Sequence, residues 1–204
     1  MMLSKIILLP FFIATLLCGQ VTNAQPIETA NKDIAPPSKD FIGVEFKTNM
    51  GKIRLKLNAK KAPKTVANFL RYVDVAHYDD TVFHRVIPNF MIQGGGFDKN
   101  LVQKTVFDPV VNESKNGLYN DRGTIAMART NDPDSATAQF FINVKSNSSL
   151  NGSKRKPGYS VFGEVIHGMH IVYDIALTKT VKRGRHQNVP KTPVIIEKAY
   201  RVDL

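Results

Sequence analysis

The chain has 204 residues, 43% hydrophobic and 22% charged, and its 28 Lys and Arg against 17 Asp and Glu give a formal charge of +11. That apolar content excludes a disordered chain, and the length suits one well-buried domain rather than two. A single cysteine, Cys18, excludes a small scaffold stapled by disulfides.

Residues 1–24 hold one charge, Lys5, ahead of an apolar run from Ile6 to Cys18. The run is shorter than the roughly 20 residues of a membrane span. Thr22 and Ala24 supply the small-x-small exit of a signal peptidase site. These features predict a secretory signal peptide over residues 1–24 rather than a retained anchor, and so no stable membrane insertion once it is removed. Leu17 stands where a lipobox needs a small residue, which argues against lipidation of Cys18. Cleavage after Ala24 leaves a chain without cysteine, with a charge of +10 (11 less that of Lys5). Residues 25–40 contain Pro36-Pro37 and no sustained periodicity, which predicts a flexible linker before a domain spanning 41–204.

From Phe41 the pattern changes. Ile42, Val44 and Phe46 alternate with small or charged residues, "TNMGK" turns the chain, and Ile53, Leu55 and Leu57 alternate again. This predicts a β-hairpin. Pro63 then opens a helical stripe of Val66, Phe69, Leu70 and Val73. Short β-like runs follow over residues 81–86, 90–93, 124–128, 139–144, 159–165 and 194–201, with a second helix over 169–177. Many short strands with two helices predict a mostly-β structure, closed or sandwiched so that its edges are hidden. The densest basic tract, "KTVKRGRH" from Lys179 to His186, has no aromatic residue to stack on bases. It reads as solvated surface, with no nucleic-acid partner; contact with an anionic envelope polymer is the lesser alternative.

Conventional catalytic signatures are sparse. No G-x-S-x-G elbow marks a serine nucleophile, although dispersed Ser, His and Asp residues leave a triad open. His167 and His170 lie three apart without the companions of a zinc motif and read as surface histidines. "GGGF" has the glycines of a phosphate loop but not its Lys-Ser/Thr ending.

One segment is unusual: "FHRVIPNFMIQGGGF", Phe83 to Phe97, sets Arg85 among apolar residues and ends in three glycines, with no nucleophile or ordinary carboxylate base. Taken alone, Phe90, Met91 and Phe141 read as core and a half-buried Arg85 as a structural ion pair. Together with "RGTIAMART", "SATAQFFINV" and "GYSVFGEVIHGM", the segment resembles the cyclophilin-type peptidyl-prolyl isomerases (rotamases). The blocks occur in the same order and at compatible spacings, over about Phe41 to Leu204, and are most similar to exported bacterial cyclophilins.

The resemblance implies a closed eight-stranded antiparallel barrel capped by two α-helices, with the active site on its outer face. It implies that Arg85 is catalytic, that Phe90, Met91 and Phe141 form the proline pocket, and that Gln93, Ala128, Gln139 and Leu150 line the substrate groove, with Tyr159 where a groove histidine often stands. It implies no cofactor and no metal. The expected partners are proline-containing polypeptides, the expected state a monomer, and the expected role folding of exported proteins, most simply in the periplasm, with secretion as the alternative. A module that binds proline motifs or holds unfolded chains, with incidental catalysis, is the competing function. Three departures stand out: Arg129 replaces a frequent Asn after Ala128, Ser149 stands where eukaryotic members carry Trp, and Tyr159 replaces the histidine. Tight binding of cyclosporin-type inhibitors is therefore not expected. The sequons at Asn112, Asn147 and Asn151 are read as coincidental.

The segment also carries a geometric demand. A two-residue hairpin at Pro88-Asn89 would pair Arg85 with Ile92 and send Gln93 to the opposite face. Arg85 and Gln93 share a groove only if the turn is longer or a strand bulges.

Overall fold

Strand alternation and one amphipathic helix account for most of the architecture seen in the computed structural model, which describes residues 35–204. The segment expected to be a signal peptide and residues 25–34 of the expected linker lie outside the described residues. The elements run β1 (Phe41–Thr48), β2 (Gly51–Asn58), α1 (Pro63–Asp74), β3 (Thr81–Val82), β4 (Arg85–Ile87), β5 (Met91–Gly94), β6 (Thr124–Met127) and β7 (Phe140–Asn143). A 3₁₀ turn (Ser148–Leu150), β8 (Val161–His167), α2 (Met169–Ala176), β9 (Thr180–Arg183), β10 (His186–Pro190) and β11 (Ile195–Val202) complete the chain. All lie between Phe41 and Val202, so a chain starting at Gln25 keeps every one. None of the described helices is long and apolar enough to cross a membrane.

Among the described residues, nine strands form one strongly curled antiparallel sheet in the order β3-β11-β1-β2-β8-β6-β7-β5-β4, and β9 and β10 form a separate hairpin. The expected mostly-β fold with two helices is present, but the expected count and closure are not met by hydrogen bonds. The two edge strands, β3 and β4, share no ladder. They follow one another in the chain, so only Phe83 and His84 bridge them. The run expected as one strand over 81–86 breaks there because both residues are buried and the chain leaves β11 to join β5.

Alternation divides the side chains between two faces. Phe46, Val86, Ile92, Ile125, Phe140, Ile142 and Phe162 point inward with the helix residues Val66, Phe69, Leu70 and Val73. The Phe46 and Phe140 rings stack with centroids 5.1 Å apart, and Phe69 meets Phe162 at 5.0 Å. Each such buried side chain contributes about 1.5–3 kcal/mol. Met91, Ala126, Phe141 and Val161 form a second, smaller cluster on the outer face.

Two long-range contacts anchor the frame. Helix α1 has no side-chain cap of its own; instead Glu113 accepts from the Lys64 and Thr65 amides at 3.2 and 2.8 Å and from the Thr65 hydroxyl at 2.6 Å. Its carboxylate thus caps the positive end of the helix from a distant loop. Just ahead of β1, the Asp40 carbonyl accepts from the Ala59 and Lys60 amides.

Candidate active site

The turn after β4 decides which side chains share the outer face. Ile87 pairs with Met91, Val86 with Ile92 and Arg85 with Gln93, so three residues, Pro88, Asn89 and Phe90, form the loop rather than two. The Phe90 amide donates to the Ile87 carbonyl at 3.2 Å, and Asn89 has φ of 55°. Proline followed by a residue of positive φ is the type II turn pattern, and asparagine tolerates that region. The longer turn meets the demand stated above without a bulge.

The register then continues across the sheet: Gln93 pairs with Phe141, Phe141 with Ala126, and Ala126 with Val161. Arg85, Gln93, Phe141, Ala126 and Val161 form one row on the outer face, and Met91, two residues before Gln93, joins them. The Ala128 amide donates to the Gln139 carbonyl at 2.9 Å, which extends the β6–β7 pairing toward the lip of the groove.

A cavity of about 140 Å³ opens on this face, lined by Arg85, Phe90, Met91, Gln93, Ala128, Arg129, Phe141, Leu150 and Tyr159. Eight of the nine residues expected at the site therefore surround one space. The ninth, Gln139, stands just behind it. Gln93 Nε2 donates to Gln139 Oε1 at 3.0 Å, and Arg85 Nη1 donates to Gln93 Oε1 at 3.3 Å. The glycine run serves this chain of side chains. Gly95 has φ of 84°, and a Cβ on Gly96 would sit 2.5 Å from Gln139 Cγ, so any larger residue at 96 would dislodge Gln139.

Arg85 is half-exposed and enters no ion pair among the described residues; its other contact is Met91 Sδ at 4.0 Å from Nη1. The structural ion pair that a lone arginine suggests is absent. No carboxylate, histidine, cysteine or lysine lines the cavity. His84 lies on the other side of the strand from Arg85, 5% exposed. Burial, with help from the nearby charges of His186 and Arg85, holds its pKa down to about 4 against the pull of a hydrogen bond to Val82. His167 and His170 approach to 6.4 Å between ring centroids, and among the described residues no group of three or more His, Cys, Asp or Glu could hold a metal.

Two features of the site went unrecognised in the sequence. Arg129, noted only as a departure, stands in the cavity wall. Its guanidinium lies 4.6 Å from the Tyr159 ring centroid and donates to the carbonyls of Gly158 (3.3 Å), Thr130 (2.8 Å), Asn131 (3.5 Å) and Pro157 (3.2 Å). Tyr159 meets Phe141 edge-on at 5.5 Å. The second feature is a cluster of amides. Asn147 Nδ2 donates to the Phe90 carbonyl at 2.9 Å and to Asn143 Oδ1 at 2.8 Å. Asn143 Nδ2 donates to Asn120 Oδ1 and to Thr124 Oγ1. The Leu150 amide donates to the Asn147 carbonyl and the Tyr159 amide to the Leu150 carbonyl. These links fix Phe90, Leu150 and Tyr159 relative to β7. They also put the Asn147 sequon to structural use, since that amide is buried.

Comparison with known proteins shows the family. The model of the cyclophilin type peptidyl-prolyl cis-trans isomerase family matches residues 43–201. A peptidyl-prolyl cis-trans isomerase of Acinetobacter baylyi is 57% identical over 153 residues, covering 75% of this chain and 81% of the relative. Peptidyl-prolyl cis-trans isomerase B of Escherichia coli is 54% identical over 157 residues, covering 76% and 96%. Among solved structures, a cyclophilin type peptidyl-prolyl cis-trans isomerase of Cryptosporidium parvum is 28% identical with a TM-score of 0.65, covering 80% of this chain and 99% of that one. With a family model matched over residues 43–201 and relatives of this kind, the chain belongs to the cyclophilin family and is a peptidyl-prolyl cis-trans isomerase.

Proposed function

We propose that Arg85 is the catalytic residue of this isomerase, and that Phe90, Met91, Gln93, Ala128, Gln139, Phe141, Leu150 and Tyr159 bind the substrate. A peptide bond resists rotation by about 18–20 kcal/mol because nitrogen lone-pair density is shared with the carbonyl. X-Pro bonds have cis and trans forms close in energy, yet exchange in tens to hundreds of seconds unaided. In the twisted transition state the proline nitrogen becomes pyramidal and recovers its lone pair. A guanidinium donor near that nitrogen stabilises the twisted state more than the planar one, and only such a difference accelerates the step. Phe90, Met91 and Phe141 hold the proline ring while the carbonyl side turns. Gln93, steered by Gln139, orients the guanidinium.

The observation that carries this reading is Arg85, with no carboxylate partner among the described residues, facing a cavity shared with the apolar side chains of Phe90, Met91 and Phe141. A fixed planar set of donors suits the task better than lysine. A chain of residues 25–204 should accelerate cis-trans exchange in an X-Pro peptide, and Arg85→Ala should remove most of that rate. Undiminished exchange in the variant would overturn the assignment. Suppression of client aggregation that survives Arg85→Ala would instead favour the holding module.

The reading extends to the whole chain. Residues 1–24 direct export and residues 25–40 tether the domain, so the isomerase acts as a monomer on exported polypeptides, most simply in the periplasm. The charged start, short apolar run and small-x-small exit support export. N-terminal sequencing of the protein from its own cells should begin at Gln25, and fractionation should recover it outside the cytoplasm. The curled sheet acts as a closed eight-stranded barrel if β3 and β4 count as halves of one interrupted strand. Their pairings with β11 and β5 support that count.

A further inference from the structure

The hairpin of β9 and β10 stands outside the main sheet and carries charge that no ion pair among the described residues balances. From residue 175 to residue 196 there is no Asp or Glu, while Lys179, Lys182, Arg183, Arg185 and Lys191 are all exposed. Among the described residues none of the five enters an ion pair. Arg183 donates to the Lys191 carbonyl at 2.7 Å and so braces the hairpin. Lys99 shares a shallow crevice with Arg183 and adds a sixth cation. Neighbouring Asp98 turns Oδ1 to the amides of Asn100 and Val102 in its own loop.

Two apolar side chains accompany these cations. Leu177, just after α2, is 75% exposed, the most of any large hydrophobic residue described, and Val181 in β9 is 38% exposed. Like charges this dense repel one another and weaken the fold unless a partner neutralises them. Exposed apolar groups among lysines and arginines are the composition of segments that lie at a lipid interface.

We propose that the β9–β10 hairpin is a docking surface for a membrane leaflet rich in anionic phospholipid, which the protein touches without inserting a helix. Charge complementarity selects an anionic partner. The exposed Leu177 and Val181 select a lipid surface over a soluble polyanion, which would engage the cations alone. Nucleic acid is disfavoured because the 175–196 segment has no aromatic residue to stack on bases. The hairpin is mechanically close to the groove without belonging to it. Strand β10 lies against β4, and the His186 ring packs on Phe97 at 4.9 Å and faces His84 at 6.4 Å. Docking there holds the strand that bears Arg85 beside the membrane, where newly exported chains emerge. The surface stands apart from the isomerase assignment, because its residues do not line the cavity.

The test is co-sedimentation of residues 25–204 with vesicles of phosphatidylcholine alone or mixed with phosphatidylglycerol, alongside binding to soluble polyphosphate. The protein should bind only the mixed vesicles, less so as salt rises. Lys179→Gln/Lys182→Gln/Arg185→Gln should lower partitioning about 100-fold, at roughly fivefold per charge. Leu177→Ser/Val181→Ser should weaken vesicle binding several-fold and leave polyphosphate binding unchanged. A Lys39→Gln/Lys145→Gln control should lose far less than the triple variant, and all variants should keep the isomerase rate, which certifies their folding. The proposal is overturned if the mixed vesicles are not bound, or if the triple variant binds like the parent or no worse than the control. It is equally overturned if the apolar variant binds vesicles unchanged while polyphosphate is held as tightly, which would mark a polyanion site.

Discussion

The floor of the groove is built on paired strands and its lip on loops, and the two regions hold their arginines in different ways. On the floor, Arg85 Nη1 donates to Gln93 at 3.3 Å and approaches Met91 Sδ at 4.0 Å, so most of its donors have no partner among the described residues. On the lip, Arg129 satisfies four backbone carbonyls and covers the Tyr159 ring. A strand ladder sets the position of Arg85 and leaves its side chain little structural work. The loops have no ladder, and a side chain must do the positioning instead. The same cation in the same cavity thus keeps most of its donors in one place and spends them as a brace in the other.

The largest expected break in this comparison is Arg85→Ala. Losing a transition-state contact of about 3–4 kcal/mol lowers kcat/KM about 10²–10³-fold, while the melting temperature should hardly move because no structural bond of note is lost. A large fall in stability would make Arg85 a brace as well. Asn147→Ala attacks the seam between floor and lip. It strips a donor from the Phe90 carbonyl and from Asn143, with an expected cost of about 1–3 kcal/mol in denaturant unfolding and a clear loss of exchange rate. Arg129→Ala should act on the lip alone, raising KM several-fold more than it lowers kcat, at about 1 kcal/mol of stability. Arg129→Lys should fail to restore it, since an ammonium cannot span carbonyls on two loops as the planar fork does. A change confined to kcat would sink the bracing role.

The smallest effect lies behind the floor and depends on pH. His84 holds a folded pKa of about 4 against an ordinary 6.5, so its buried neutral form contributes stability above pH 6.5. As pH falls toward 4 the unfolded chain takes up a proton that the folded chain refuses, and that stability is lost. Thermal melts of the parent should drop by a few degrees between pH 7 and 4.5, and His84→Phe should flatten that slope.

Legibility in the sequence follows the same division. The β1–β2 hairpin, α1, α2 and most sheet strands are visible because one face of each is buried, which imposes a period of 2 or 3.6 on the apolar residues. Strands β9 and β10 escaped notice because the charged, mostly exposed stretch of Val181, Lys182, Arg183, Gly184 and Arg185 shows no alternation. The floor residues Arg85, Phe90, Met91, Gln93 and Phe141 are named by the family resemblance of their sequence blocks and not by periodicity. Arg129 and Asn147 could not be named, because their partners depend on loops separated by up to 57 residues and on no local pattern. Pro-Asn suits a two-residue and a three-residue turn alike, so the register across it is not legible in the sequence.

That turn also fixes which loops the groove accepts. Directly paired residues of a hairpin face the same side, so Arg85 and Gln93 stay together for any loop length that closes on Ile87 and Met91. Closure one residue early, Ile87 against Phe90, would set Arg85 opposite Ile92 and part it from Gln93. Phe90 is engaged elsewhere: its carbonyl accepts from Asn147 Nδ2 and from the Val144 amide. The register of the groove is thus guarded from the neighbouring chain segment, and length at its most exposed point is free to vary.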